Sequence, residues 1–406
     1  MTASTDDVPV PRRQEATLLA HVSAAHLVSH FHIMTLPALL PLLPGHFGLS
    51  FIQIGSALTV FNLVSLVVQT PMGFLTDRLG ARRMLIGGLL MGGSGLLSLA
   101  FLDGYAWLLV AMAAAGLANG VYHPADYALL SAGIDGKRMG RAFSVHTFAG
   151  FLGTAVAPAL LMGIAALAGI KTAFAVSGLL GFAVAALLLT GPATAAAGPR
   201  DRARTVANAD AGDARPSLFT PAVVSLTLLF VLLNLSTGGI QNFSVAAFVA
   251  GYGLDLALAN MALTAFLFAS AFGVLAGGAL ADRTTRHGQL AAGAFLATAA
   301  LVSVIALVSL PPIVLVVLMG AAGFLAGVIT PSRDMLVRAA APPGAEGRVF
   351  GIVSTGFNVG GAVGPILFAG LLDHGHPAGV FGVAVVFMLL TVALTLFQER
   401  GKRGSA

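Results

Sequence analysis

Runs of about twenty apolar residues follow one another along the whole chain, with most charges in the gaps between them. Hydrocarbon offers no hydrogen-bond partner to a bare peptide group, so segments of this length cross a bilayer as α-helices. Hydrophobic residues make up 57% of the 406 and charged residues 9%, against about 25% charged in soluble domains. We read twelve spans, at 17–43, 51–75, 84–102, 105–132, 142–168, 171–190, 219–250, 256–281, 288–309, 311–340, 349–372 and 377–397. Fifty glycines suit such a chain, because small residues let helices approach closely in lipid.

The placement of the charges orients the spans. Arg12, Arg13, Arg78, Arg82, Arg83, Lys137, Arg138, Arg141, the bases of 200–215, Arg283, Arg286, Arg338, Arg348 and those of the tail all fall on the side of the N-terminus. The opposite loops hold a single base, Lys171. The bias of Lys and Arg toward cytoplasmic loops therefore puts both termini in the cytoplasm. The net charge of +5 reports topology, and no nucleic-acid partner is expected. The chain has no cysteine, which excludes disulfides, thiolate metal sites and thiol catalysis. The first span is too long for a signal-peptide core, so no cleaved signal is expected. Residues 191–217 are Ala, Gly, Pro and charge without periodicity, the composition of a flexible linker.

The chain also repeats itself. Gly73-Phe-Leu-Thr-Asp77-Arg78-Leu-Gly80-Ala-Arg82-Arg83 is answered by Gly278-Ala-Leu-Ala-Asp282-Arg283-Thr-Thr-Arg286, with the two aspartates 205 residues apart. Arg141, Phe143, Gly153 and Pro158 are answered by Arg348, Phe350, Gly360 and Pro365, each 207 residues on. Gly116, Gly120 and Pro124 match Gly323, Gly327 and Pro331 at the same offset. A membrane chain made of two such halves points to a two-bundle transporter. The expected fold is an all-α membrane protein with twelve transmembrane helices in two pseudo-symmetric six-helix bundles. Its parts are an N-terminal tail (1–16), a bundle (17–190), a linker (191–217), a second bundle (218–397) and a tail (398–406).

Spans 3, 6, 9 and 12 carry only apolar residues, Gly, Ser and Thr through their middles. The costly groups lie in the others: His26 and His30, Asn62 and Gln69, Asn119, His123 and Asp126, and His146 in the first half. In the second half they are Asn234, Gln241, Asn242, Arg333, Asp334 and Asn358. Polar groups at bilayer depth face a protein interior or a watery path, so every third span is peripheral and eight surround a cavity.

The loop from Gly73 to Arg83 resembles the signature between spans 2 and 3 of the major facilitator superfamily, and its looser copy follows span 8. That resemblance implies two bundles rocking about a central site. More narrowly, Ala25-His26-Leu-Val-Ser-His30 leading into Leu36-Pro37-Ala-Leu-Leu-Pro41 is similar to the first helix of the fosmidomycin-resistance type of exporter. Gly120-Val-Tyr-His123-Pro124-Ala125 is similar to that group's span 4 element. His30 stands where that group tends to carry Asp, and Ala157 where the span 5 element of proton-coupled exporters has Gly before Pro158. The resemblance implies a gate built from Gly73, Asp77, Arg78, Gly80, Arg82 and Arg83, with Asp282 and Arg283 as its counterpart. Such a charge cluster latches the bundles in one state and opens in the other. A pure topological anchor is the alternative.

Asp126 and Arg333 are 207 residues apart, and pseudo-symmetry sets them at similar depth on facing bundles. Each alone costs roughly 2.5–3.5 kcal/mol at a helix centre. Asp126 takes and releases a proton in one reading. In another, Arg333 binds an anionic group with Asp126 as its resting partner. A static pair, or Arg333 satisfied by Asp334, is the third. His123 and Asn119 share a helix stripe with Asp126, and a His beside a carboxylate suits proton coupling. His26 and His30, one turn apart, serve as proton relay, substrate contact or structural contact. Their spacing also suits a metal, but no third ligand follows, so no metal or cofactor is expected. Asn62 with Gln69 and Asn234 with Gln241 lie two turns apart on one face, and with Asn358 they suit a substrate rich in oxygen, or bond between helices.

The expected activity is proton-coupled export of a small polar or anionic molecule by a monomeric carrier of the cytoplasmic membrane. Uptake of an organic anion with protons is the alternative within transport, and a non-transporting membrane sensor the alternative outside it. No nucleophile–base pair or phosphate loop suggests an enzyme.

Overall fold

Every amide placed in hydrocarbon has to find its acceptor within its own segment, and twelve long helices do this in the described chain. The computed structural model describes residues 12–135, 138–190, 220–342 and 346–404. In the first half lie α1 (Arg12–Leu39), α2 (Phe51–Leu79), α3 (Ala81–Ser98), α4 (Tyr105–Gly133), α5 (Met139–Ala168) and α6 (Ile170–Thr190). In the second lie α7 (Pro221–Tyr252), α8 (Leu256–Ala281), α9 (His287–Leu307), α10 (Pro312–Ala340), α11 (Glu346–Asp373) and α12 (Gly379–Gly404). Eleven described helices are long and apolar enough to cross a membrane. The exception is α3, whose 18 residues open on Arg82 and Arg83. The fold is the all-α, two-bundle membrane architecture.

The ends of several spans differ from the sequence reading. α1 begins at Arg12 and, past Pro37, continues through the 3-10 turn Leu40–Leu42 and a short helix Leu43–Phe47. α2 runs on to Leu79, so Asp77 and Arg78 occupy its last turn and not a loop. It stops at Gly80, whose φ of 92° a side chain would resist. α12 extends to Gly404. The linker at 191–217 lies outside the described residues.

Short connections make successive helices antiparallel, so the loops alternate between two ends. At the end carrying Arg12, Arg138 grips Glu15 with two 2.8 Å bonds, tying α1 to the turn between α4 and α5. There too Arg82 Nε donates to Leu188 O at 2.9 Å, joining α3 to α6. At the far end Lys171 donates to Asp103 at 2.9 Å, and that ammonium holds the Asp103 carboxyl below its usual range.

Within the halves, packing depends on small residues. In α8, Gly273 and Gly277 abut the Phe324 and Val328 carbonyls of α10; in return Gly323 and Gly327 of α10 abut the Phe266 and Ser270 carbonyls of α8. With no hydrophobic driving force between helices in lipid, such backbone contact supplies the dispersion that holds them. Between the halves, α2 packs along α11 and α5 along α8, with α1 touching α7. Among the described residues, α3, α6, α9 and α12 stay out of these main contacts between the halves.

The α2–α11 contact is closed from the far end to mid-depth. Asp373 meets Phe51 and Ile52, Thr59 Oγ1 donates to Ala362 O at 2.7 Å, and Asn358 Nδ2 donates to Gln69 Oε1 at 3.3 Å. Past Gln69, toward the basic end, a cavity of about 390 Å³ lies between α2 and α4 of the first half, lined by Thr70, Gly73, Asp77, Pro124, Tyr127 and Ser131 among others.

Replacing Gly327 by Leu drives a side chain into the Ser270 carbonyl. We expect a loss of about 1–3 kcal/mol, the usual cost of overpacking, and a lower melting temperature in detergent. Gly163→Ala, which meets nothing within 4 Å, is the matched change expected to leave the melt unchanged.

Candidate functional site

Three helices of the first half bring four histidines around one aspartate. α1 supplies His26 and His30, α4 supplies His123 and Asp126, and α5 supplies His146. His26 Nδ1 lies 3.3 Å from Asp126 Oδ2, and His146 Nε2 lies 3.6 Å from the same oxygen. The His26 and His146 rings stack at 3.9 Å, with His30 at 4.6 Å and His123 at 5.4 Å from His26. Asp126 is fully enclosed and His26 and His146 nearly so, whereas His30 and His123 are half-buried.

Two glycines of α5 make this approach possible. Gly153 abuts the Leu27 carbonyl, which draws α1 against α5. A Cβ on Gly150 would stand 2.6 Å from His26 Nε2 and 3.0 Å from His30 Cδ2. His30 Nδ1 lies 3.1 Å from Thr154 Oγ1 on the next turn of α5. Neither oxygen of Asp126 has a hydrogen-bond donor angled onto it among the described residues. A carboxylate so enclosed is costly unless a neighbour carries the opposite charge, and two imidazoles in reach are the groups that can. One proton moved between carboxyl and ring interconverts an ionic and a neutral cluster.

His26, Asp126 and His146 present donor atoms within 4.8 Å of one another, so this trio has the chemistry to hold a metal ion as well as a proton. His30, one turn from His26, is not part of this trio; the two groups that join His26 come from α4 and α5.

The structure does not bring Asp126 and Arg333 together, contrary to the facing pair expected from pseudo-symmetry. Arg333 satisfies itself next door: Nε donates to Asp334 Oδ1 at 2.9 Å, and a terminal nitrogen lies 2.8 Å from that oxygen. Phe230 of α7 and Phe357 of α11 flank the guanidinium at 4.7 and 5.0 Å. Matching register fixes depth but not the rotation of a side chain, and each charge found partners within its own half.

The amides divide. Gln69 and Asn358 meet across the halves. Asn119 donates to Ser65 at 3.1 Å, and Asn62 back-bonds to Leu58 O at 2.8 Å. Asn62 also faces Gly361, and Asn234 packs against Gly360. Gln241 is half-buried. Of the signature residues, Asp77, Arg78 and Arg83 are exposed at the basic end, as are Asp282 and Arg283 just past α8. Sequence marks His146 as a polar residue of span 5 and gives it no partner. Its partner, Asp126, lies on another helix, and only the fold joins them.

The chain resembles known proteins along nearly all of its length. The Major Facilitator Superfamily profile matches residues 22–249 and again 226–406. The fosmidomycin resistance protein of Escherichia coli (strain K12) is 27% identical over 94% of this chain and 92% of its own. The uncharacterized MFS-type transporter YfnC of Bacillus subtilis (strain 168) is 29% identical over 35% of this chain and 34% of its own. Among solved structures, a bacterial homolog to the human lysosomal transporter Spinster, inward-facing and occupied, superposes with a TM-score of 0.77 at 14% identity, covering 96% of this chain and 98% of that one. Its unoccupied form gives 0.74 at 13%. Two matches of one profile along a duplicated twelve-helix chain carry the conclusion: this multi-pass membrane protein belongs to the Major Facilitator Superfamily, whose members are transporters of small molecules and not enzymes.

Proposed function

We propose that this carrier exports a small polar or anionic compound in exchange for protons, and that Asp126 with its histidines is the proton site. The observation that carries this reading is the enclosure of Asp126 between His26 and His146. His123 lies 6.0 Å from Tyr127, ring to ring, and Tyr127 lines the cavity toward the basic end. The half-buried His123 thus stands between that cavity and the enclosed trio, a route for protons. The name of the Escherichia coli relative, a resistance protein, favours export.

Arg333 binds the anionic group in this reading, with Asp334 as the partner it exchanges for substrate. Its planar fork suits a carboxylate, phosphonate or phosphate, and flanking rings hold it in place. Gln69 and Asn358, at the inner edge of the closed seam, are placed to sense substrate from both halves. His30, Asn62, Asn119, Asn234 and Gln241 complete the polar lining. The Asp77 cluster and its Asp282 counterpart gate the basic end. In this reading the membrane is the cytoplasmic one and the basic end faces the cytoplasm together with both termini and the linker, which the bias of Lys and Arg toward cytoplasmic loops supports; the cavity then opens inward.

The test is the pH gradient across inside-out vesicles energised by respiration, challenged with phosphonates, carboxylates, sugars and lipophilic cations. Collapse of the gradient by one class, absent from vesicles without the protein, is the expected result. Silence there together with proton-linked uptake in right-side-out vesicles would reverse the direction, and silence in both would end the proton-coupled reading.

Asp126→Asn preserves shape and removes the acid, so we expect a folded protein whose proton-linked flux is abolished. Gly150→Val should do the same by pushing His26 and His30 off their places, with flux lost before stability. Arg333→Lys keeps charge but loses the fork, and the affinity for an anionic substrate should fall by about tenfold; unchanged affinity would remove Arg333 from direct binding.

A further inference from the structure

The first turn of α2 is capped from the other half of the molecule. A helix leaves its first amides without partners inside the helix, and here the accounting for α2 is complete. Ile54 N, one turn in, donates to Ser50 O at 3.1 Å. Gln53 N donates to the Ser50 hydroxyl at 3.2 Å, while Gln53 Oε1 accepts from Ser50 N at 3.0 Å, a capping box made by α2 alone. The remaining two amides, Phe51 N and Ile52 N, donate to Asp373 at 2.9 and 2.7 Å, one to each carboxylate oxygen. Asp373 is the last residue of α11. Both oxygens of one acid are thus spent on the positive end of a helix 321 residues away, where a negative charge is favoured by the helix dipole.

Below this contact the two helices touch backbone to backbone. A Cβ on Gly55 would stand 2.7 Å from Pro365 O and 3.0 Å from Ala369 Cβ, and the Thr59–Ala362 bond follows one turn on. These contacts are apolar or neutral and can slide. The charged cap cannot: separating the halves at this end strips two amides of their acceptor and an acid of its donors in one step.

We infer that Asp373 and the first turn of α2 form the latch that holds the carrier shut at the end opposite the basic loops. Transport by alternating access requires that end to open, so the latch breaks once per cycle. Asp373 touches no substrate in this role. It is a positioning residue that sets the balance between the two facing states, and Ser50 keeps α2 wound when the latch is open. The inference uses the transport activity of the superfamily and neither the proton site nor the direction of flux.

The chain contains no cysteine, so a labelling pair needs no background removal. Leu167 and Ile313, 90% and 78% exposed at the far end of the first and second halves, can be changed to Cys and spin-labelled. Interspin distances would be measured by pulsed electron resonance on the full chain in lipid nanodiscs. With Asp373 intact the short-distance population should dominate. Asp373→Ala should shift the ratio toward the long-distance population by about fivefold or more, the effect expected from losing one helix cap. Asp373→Asn, isosteric and uncharged, should shift it less. Ser50→Ala breaks the cap that α2 makes for itself and should leave the ratio near wild type; an equal shift there would assign the effect to fraying of α2 and overturn the latch. An unchanged distribution in Asp373→Ala, with the melt preserved, would overturn it as well. A proton-coupling failure would leave these distances untouched, so the two readings fail separately.

Discussion

The solvent dictates this structure: hydrocarbon supplies no hydrogen bonds, so each polar group has to find its partner inside the protein. The helices answer for the backbone. The side chains answer in three ways that differ in cost. Serines and threonines bond back to their own helix, as Thr35 does to Phe31 and Ser236 to Leu232. A second set ties neighbouring helices, such as His32 to the Ser177 carbonyl and Tyr252 to the Ala306 carbonyl. The third set is charged and sits where a purely structural chain would have used Leu or Ile: Asp126 among histidines, and Arg333 against Asp334 and two phenylalanines. Only the third set goes beyond what packing requires, which is why the functional reading rests there.

The two charged sets lie in different halves and are each locally paired. This division has a mechanical consequence. Had Asp126 and Arg333 closed on one another, the pair would have glued the halves at mid-depth, and opening would have separated two charges in a poor dielectric. With each charge held within its own half, the bundles can rock without breaking an ion pair between Asp126 and Arg333. The side-chain contacts that cross between the halves are neutral in the middle, among them the amide bond from Asn358 to Gln69 and the bond from Thr59 to Ala362.

The architecture was legible because the bilayer imposes it through patterns that sequence displays directly: span length, charge in the loops, and a repeat at constant offset. The peripheral helices α3, α6, α9 and α12 followed from the absence of costly groups in their middles. The site was legible by element and not by pairing. Asp126, His26, His30 and His123 were each visible as expensive residues, but their convergence depends on how α1, α4 and α5 are rotated, which spacing along one helix does not encode. His146 needed the same information. The offset of 207 residues did fix matching positions for Asp126 and Arg333, yet pseudo-symmetry says nothing about a neighbour such as Asp334, present in one half and replaced by Tyr127 in the other. Asp373 carried no signal at all, since an acid at the end of a span looks like any other loop charge.

The contacts between the halves have a graded character that suits a carrier. A two-state machine works only if neither state is too deep, because a ligand shifts the balance by no more than its difference in affinity for the two. An interface built from large interlocking side chains would exceed that range. The α2–α11 seam instead uses Gly55, Thr59, Ala362 and Gly361, residues that bring backbones together over a long path with little to interlock. Its strongest element is the exposed cap at Asp373, where water can take over both the acid and the amides when the contact opens. Strength placed at the wet rim and smoothness placed in the dry middle give a closure that is well defined and still reversible.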